Sequence, residues 1–576
     1  MDPSSAEWAS PVEAPLVLEA AEQRQWDDAA DLVVVGFGGA GVAAALEAAE
    51  HGVDVLALDR YEGGGSSAAN GGVYYAGGGT KIQCEAGVED SPEEMFKYLA
   101  IETQGVIAEE TLRRFCNESA ATVDWLLAHG ALLSPSGVFR SKVSYPPLAY
   151  HLYHPDNSLL PAYAARARPA ARGHRTAVSN HGKAWGLGWG IWKPLAAAAA
   201  AAGVRFERYS EVRQLVIDRR GAVLGVKVLS IPAGSAAATR FARYIRRANW
   251  LLELIPPVIP LAALTIALAR RYLAAAGRIE AEERVTRFIR ARRGVLLSAG
   301  GFILNRAMVE HYAPLYRRGL PNGTLGDTGS GIRLGQSVGG ALGCMDRVTG
   351  WCCINPPAAW PRGIVVNRDG ARICHEGAYG STLGDAIVRS PDGIAYLVLD
   401  ERLYRQSLRE IGRGAEIVAY QRQAARLNLL FNRRSAATPE ALARALGVEA
   451  SGLLRTLAAY NRAARGEVAD IVGKSPAEMS VLDQPPFHAI DVSVHSRLFP
   501  MPMLTLGGLT VDELTGQVRR ADGSGIGGLY AAGRTAVGVC SNVYMSGLAY
   551  ADCIFSGRRV GRTLSGAGAA TLARTA

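Results

Sequence analysis

No C-x-x-C pair occurs in this 576-residue sequence, and its eight cysteines, the adjacent Cys352 and Cys353 among them, show no zinc-ligand spacing. That argues against a zinc module or a thioredoxin-like dithiol, and no metal site is expected. No cysteine cluster offers ligands for an iron–sulfur centre. Lysine-rich tracts are also missing. The net charge of +9 is spread mostly over arginines, so a nucleic-acid partner is not expected. The first fifteen residues, MDPSSAEWASPVEAP, are acidic and lack the apolar core of a signal peptide, which points to a reducing, cytoplasmic setting. With 49% hydrophobic and 20% charged residues, the chain is not a disordered one; it has material for two to four packed domains.

What is present begins with glycine. Asp31 to Val35 is a continuous apolar run, as a central parallel strand requires. Gly36, Gly38 and Gly41 follow in G-x-G-x-x-G spacing, then an alanine-rich helix from Val42 to Glu50 and a second strand, Val53 to Leu58, ending at Asp59. Gly36 permits a tight turn, Gly38 lets a pyrophosphate approach the backbone, and Gly41 lets helix and strand pack closely; Asp59 stands where a carboxylate takes ribose hydroxyls. The order of parts predicts a dinucleotide site, with Gly39, Ala40 and Arg60 beside it. The loop Glu62 to Gly72 consists of small residues, and its amides with Ser66 and Ser67 suit an extended cofactor, which favours FAD over a nicotinamide. A second strand-and-glycine turn, Leu296 to Phe302, and the segment Gly528 to Arg534 read as distant pieces of the same discontinuous domain.

The set GFGGAG, GGGSSAANGG, LLSAGGF, GDTGSGIRLG, TLGGL and GLYAAGR resembles the fumarate reductase/succinate dehydrogenase flavoprotein superfamily over most of residues 30 to 565. The resemblance implies an α/β fold: a two-dinucleotide-binding, Rossmann-like FAD domain with an inserted α+β substrate domain and noncovalent FAD. It implies cofactor contacts from Gly65, Ala69, Asn70, Gly71 and Gly72, from Ala299, Gly300 and Gly301, from Asp327 and Gly331, and from Gly533, Arg534, Gly547 and Leu548. It also implies hydrogen removal or addition at a carbon–carbon bond beside a carbonyl.

Within that superfamily, Tyr544-x-Ser546-Gly547 resembles the flavin-facing segment of 3-ketosteroid Δ4-(5α)-dehydrogenases, and the proline- and glycine-rich run of the Δ1-dehydrogenases is absent. The stretch GARICHEGAYG carries the family's R-x-x-x-E motif at Arg372 and Glu376, followed by Tyr379. The expected roles are a carbonyl donor at Tyr544 helped by the Gly547 N–H, and proton acceptance at Ser546 relayed through Tyr379. Alternatives left open are a Δ1-dehydrogenase, a fumarate-type enoate reductase and an electron-transfer flavoprotein subunit. The electron acceptor has no signature in the sequence. Two aromatic-rich stretches, Tyr150 to Tyr163 and His181 to Gly190, are candidate pocket walls.

Trp250 to Ala269 is almost wholly apolar, with Glu253 its one charge and Pro256, Pro257 and Pro260 cutting it into two pieces. Arg243, Arg246 and Arg247 precede it, and Arg270 and Arg271 follow. This predicts a helical hairpin over 243–278 resting in one leaflet rather than spanning it, holding the protein peripherally to the inner face of the cell membrane. The expected organisation is a tail (1–28), an FAD domain (29–345 and 486–576), a hydrophobic insertion (231–285) and a substrate domain (346–485). Pro439 to Arg465 has helical periodicity with polar faces and is expected to be structural.

Overall fold

The computed structural model describes residues 12–180, 185–254, 262–412 and 417–566. Its main sheet uses β1 (Leu16–Leu18), β2 (Asp28–Val35), β3 (Val55–Leu58), β4 (Arg205–Glu207), β5 (Ser210–Asp218), β6 (Val223–Ser230), β7 (Val285–Leu297) and β8 (Gly525–Ala531). The order is β1-β5-β6-β7-β2-β3-β4, with β8 beside the end of β7. The apolar run 32–35 is buried on both faces, as a strand between two parallel neighbours must be. Helix α1 (Gly39–Glu50) crosses from β2 to β3. A C-terminal helix (Leu548–Ser565) lies against α1, close enough that a Cβ at Gly561 would stand 2.8 Å from the Ala44 carbonyl.

β7 has two kinds of neighbour. Its first half pairs antiparallel with β6, from Gly225 with Arg290 to Ser230 with Val285. Its last residues pair parallel with β8, while β2 runs parallel along its other side. The Leu297–Gly301 turn is therefore the end of a strand shared by both parts of the sheet.

Between β6 and β7 the chain leaves as α2 (Ala236–Leu254) and returns as α3 (Ala262–Glu282). The expected pair of helices is present; Pro256, Pro257 and Pro260 lie outside the described residues. Phe241, Ile245, Ala276 and Ile279 bury the root of the hairpin against Tyr61, Tyr209 and Leu325. Farther out, Trp250 (60% exposed) and Leu264 (68%) face solvent with Leu252 and Leu268. Among the described residues, no helix is long and apolar enough to cross a membrane.

The second body is built on an antiparallel sheet in the order Ile364–Val366, Tyr396–Leu399, Phe487–Asp491, Arg433–Ala436. Phe487–Asp491, expected in the FAD domain, is paired on both sides here, so this body continues past residue 485. The helical periodicity after Pro439 resolves into Pro439–Leu446 and Ala450–Ala464. Part of the expected N-terminal tail is also ordered: β1 pairs with Val216–Asp218 at the sheet edge, and β2 begins at Asp28. Three residues are too few to carry an alternation that a sequence reading detects.

Candidate functional site

The first glycine turn is closed by backbone. Gly36 sits at φ +96°, and a Cβ there would lie 2.7 Å from the Ser298 carbonyl. A Cβ on Gly41 would collide with the Gly36 carbonyl. Gly38 caps α1 and offers no side chain of its own, leaving the positive end of that helix toward the cradle. Asp59 ends β3; its carboxylate accepts from the Phe37 N–H (2.9 Å) and the Tyr61 N–H (2.7 Å), and burial pushes the carboxyl above the usual range. The Gly63 N–H also acts on this carboxylate, which still has acceptor capacity for a further donor such as a ribose hydroxyl.

The distant pieces meet at Asp327. Its carboxylate accepts from Ser66 Oγ (2.5 Å), the Thr324 N–H (2.8 Å), the Gly301 N–H (3.1 Å) and Arg534 Nη2 (2.6 Å). Arg534 Nη1 is buried with no hydrogen-bond partner among the described residues. Ser67 Oγ accepts from the Gly39 N–H at 3.1 Å, and Asn70 Oδ1 from the Gly72 N–H at 2.7 Å. Gly331 packs in a helix between Thr535 and Ala299, and the Gly533 N–H donates to Ser556 Oγ. Three sequence segments, 36–41, 62–72 and 299–301, thus share one cradle with Asp327 and Arg534. The glycine-capped helix start, the terminal carboxylate and the orphaned guanidinium nitrogen fit an extended dinucleotide. Arg60, in contrast, directs its guanidinium to Glu280 of α3 (2.8 Å) and Glu211 of β5 (3.1 Å), so its side chain fastens the hairpin root.

The C-terminal segment Tyr544–Gly547 enters beside this cradle. Gly547, at φ +88°, caps the last helix and packs so tightly on Val73–Tyr75 that a Cβ would stand 2.6 Å from the Tyr75 nitrogen. The Tyr544 ring meets Trp351 edge-on at 4.6 Å, and its carbonyl accepts from Ser381 Oγ. Burial pushes the Tyr544 phenol up to about 12, with the Gly547 N–H working against the rise. The Ser546 N–H is tied to the Pro155 carbonyl, and its hydroxyl approaches the phenols of Tyr379 and Tyr153.

Tyr379 precedes the helix Gly380–Arg389, and its N–H donates to Asn157 Oδ1 at 2.7 Å. Asn157 is in turn held by Glu102 and Thr382. Arg372 and Glu376 form a bidentate pair (2.7 and 2.6 Å), joined by Lys474. Burial raises the Glu376 carboxyl, and the Lys474 and Arg372 cations outweigh it, leaving it below the ordinary range. Burial drives the Tyr379 phenol well above its ordinary value; the neighbours acting on it are Tyr153, Tyr544, Cys353 and Ser546, none charged at neutral pH.

Tyr153 is the member that motif reading did not single out. It lies in the short strand Leu152–Tyr153, is fully buried, and its hydroxyl has no geometric hydrogen-bond partner among the described residues. The aromatic density of Tyr150 to Tyr163 was the available signal. In that stretch His154 pairs with Ser158, while His181 lies outside the described residues.

Residues 31–547 match the family model described as "FAD binding domain". The 3-oxo-5-alpha-steroid 4-dehydrogenase of Comamonas testosteroni is 34% identical, covering 91% of this chain and 96% of that protein. A 3-oxosteroid 1-dehydrogenase of Mycobacterium tuberculosis is 26% identical over 89% of this chain and 94% of its own length. Among solved structures, the 3-ketosteroid-delta4-(5alpha)-dehydrogenase from Rhodococcus jostii RHA1 in complex with 4-androstene-3,17-dione superposes with a TM-score of 0.77 at 29% identity, covering 96% of this chain and all of that one.

Proposed function

This chain belongs to the flavoproteins that carry the FAD binding domain, and on that premise we propose that it dehydrogenates a 3-oxo-5α-steroid at C4–C5, giving the 3-oxo-4-ene. The observation that carries this reading is the cluster of uncharged hydroxyls around Tyr379, Tyr544 and Ser546. A dicarboxylate needs cations at the reacting carbon, whereas a neutral ketone needs donors to its oxygen. Residues 36–41, 59, 65–72, 299–301, Asp327 and Arg534 would hold FAD, which supplies a hydride acceptor when bound.

The chain's own residues handle the proton and the carbonyl. A C3 ketone acidifies the hydrogens on C4. The Tyr544 phenol donates to the ketone oxygen, and the Gly547 N–H supports it, so negative charge developing on that oxygen meets fixed donors. Ser546 accepts the C4 proton while its own hydroxyl proton moves toward Tyr379, because a serine without such an outlet is a weak base. The Tyr153 phenol stands beside Ser546, and Trp351 keeps the Tyr544 ring in place.

The test is an anaerobic titration of the yellow protein with a saturated 3-oxo-5α-steroid. Bleaching by that compound but not by its 4-ene is the expected result. Bleaching by the 4-ene would redirect the reading to Δ1 chemistry, and no bleaching by either would end it.

The hairpin supports a peripheral attachment to an anionic bilayer. Trp250, Leu252, Leu264 and Leu268 are exposed, and Arg243, Arg247, Arg270 and Arg271 are exposed near them. A lipophilic substrate would then reach the enzyme from the phase in which it dissolves.

A further inference from the structure

A cavity of about 310 Å³ abuts Tyr379. Tyr379 lines it, whereas Tyr153, Tyr544 and Ser546 do not, so Tyr379 is the member of the hydroxyl cluster that also belongs to the wall of this space. The lining runs from buried Tyr379 to exposed Ala358, giving the cavity a mouth at the surface. It is large enough for several waters.

Two side-chain nitrogens in the lining, Lys142 Nζ and His375 Nε2, are buried without a hydrogen-bond partner among the described residues. They belong to one small chamber. A Cβ on Gly377 would stand 3.2 Å from Lys142 Nζ and 3.1 Å from His375 Nδ1, so both groups border space that glycine leaves open. The Gly377 N–H donates to His375 Nδ1 at 3.0 Å, which places the ring hydrogen of the neutral imidazole on Nε2. Burial pushes the imidazole down to about 4, so it is neutral.

The other charged groups facing Lys142 are already engaged. Glu478 accepts from Ser475, Asp156 from Tyr75, and Lys474 pairs with Glu376, which also holds Arg372. Burial pushes the Lys142 ammonium down to about 8, against the pull of Glu478 and Asp156. An amine so placed alternates between its two protonation states near neutral pH.

We propose that this cavity is the exit for the proton lost from C4, and that Lys142 is its acceptor beyond Tyr379. The inference rests on the dehydrogenase reading above. The C4–H bond breaks and its electron pair stays on the substrate as the enolate. The proton passes to Ser546 Oγ as the serine proton moves to Tyr379 Oη. The Tyr379 proton crosses cavity water to the lone pair of the Lys142 amine. His375 Nε2–H orients that water, and the ammonium then returns one proton to solvent at the mouth. A steroid seated over the hydroxyls closes the route on its own side, which makes a rear outlet necessary.

The experiment follows flavin reduction by a 3-oxo-5α-steroid in rapid mixing, from pH 6 to 10. An acceptor must be deprotonated to work, so the wild-type rate rises with pH through about 8 and levels above it. Lys142→Met keeps its FAD, loses that rising limb and runs roughly 10²-fold slower at high pH. Added methylamine restores part of the rate, which a packing defect would not allow. An unchanged rate and limb in Lys142→Met would overturn the inference. If that variant does not fold, the wild-type rate in H₂O/D₂O mixtures decides: a curved dependence, reporting several protons in flight, is expected, and a linear one overturns the relay. A wild type that never bleaches contradicts the dehydrogenase reading itself and is distinguishable from both results.

Discussion

The dinucleotide cradle and the hydroxyl cluster sit side by side and are built in opposite ways. The turns of the cradle are made by main chain, with side chains such as Asp59 and Asp327 at their margins: at Gly36 and Gly41 an added Cβ would run into a carbonyl oxygen. The cluster is made by side chains delivered from separate segments, with Tyr153, Tyr379, Tyr544 and Ser546 each anchored by its own neighbours. Main-chain geometry demands glycine at fixed local spacing. A side-chain constellation demands only that the fold bring its members together. The first should therefore fail as a binding site and the second as a chemical one.

The largest expected effect tests the first half of that contrast. Gly36→Val adds a branched side chain at positive φ, a strain of about 1–3 kcal/mol before the collision with Ser298 is counted. The purified variant is expected to lack the yellow absorbance of FAD; a fully yellow variant would break the comparison. Next come Ser546→Ala and Tyr544→Phe. Both should bind FAD normally and reduce it slowly, by about 10²–10⁴-fold for the serine and about 10²–10³-fold for the tyrosine. Loss of FAD in either would mean that the two regions are not separable. The smallest effect on chemistry belongs to a third region. Trp250→Ser combined with Leu264→Ser should leave FAD content and flavin reduction unchanged, while flotation with anionic vesicles falls about tenfold or more, as expected for removing two large apolar groups from a bilayer contact. Equal flotation of wild type and variant would remove the hairpin from the membrane reading.

The same contrast explains what the sequence discloses. The glycine turns, Asp59 and the strand order around them are legible because each part lies within a few residues of the next. Tyr379 is legible through its neighbour: the Arg372–Glu376 pair is a local i, i+4 motif and the tyrosine follows it. Tyr153 is not, because the Ser546 it approaches lies far along the chain and nothing local marks it among the aromatics nearby. Arg60 shows the converse case. Its place after Asp59 suggests the cofactor, but Glu280 claims it from the far side of the insertion. The strand Phe487–Asp491 likewise looks like part of the C-terminal FAD segment until its two neighbours are known. Such partners are set by folding and leave no spacing to read.

The ladder between β6 and β7 has a consequence of another kind. Ser230 and Val285 face each other across it, so the chain departs on the hairpin and returns at a single rung. A two-residue turn would join those strands directly. The hairpin is thus a graft on one rung: a gene could acquire it or shed it there without changing the strand order, while Tyr61, Tyr209 and Leu325 beneath its root would then need other cover.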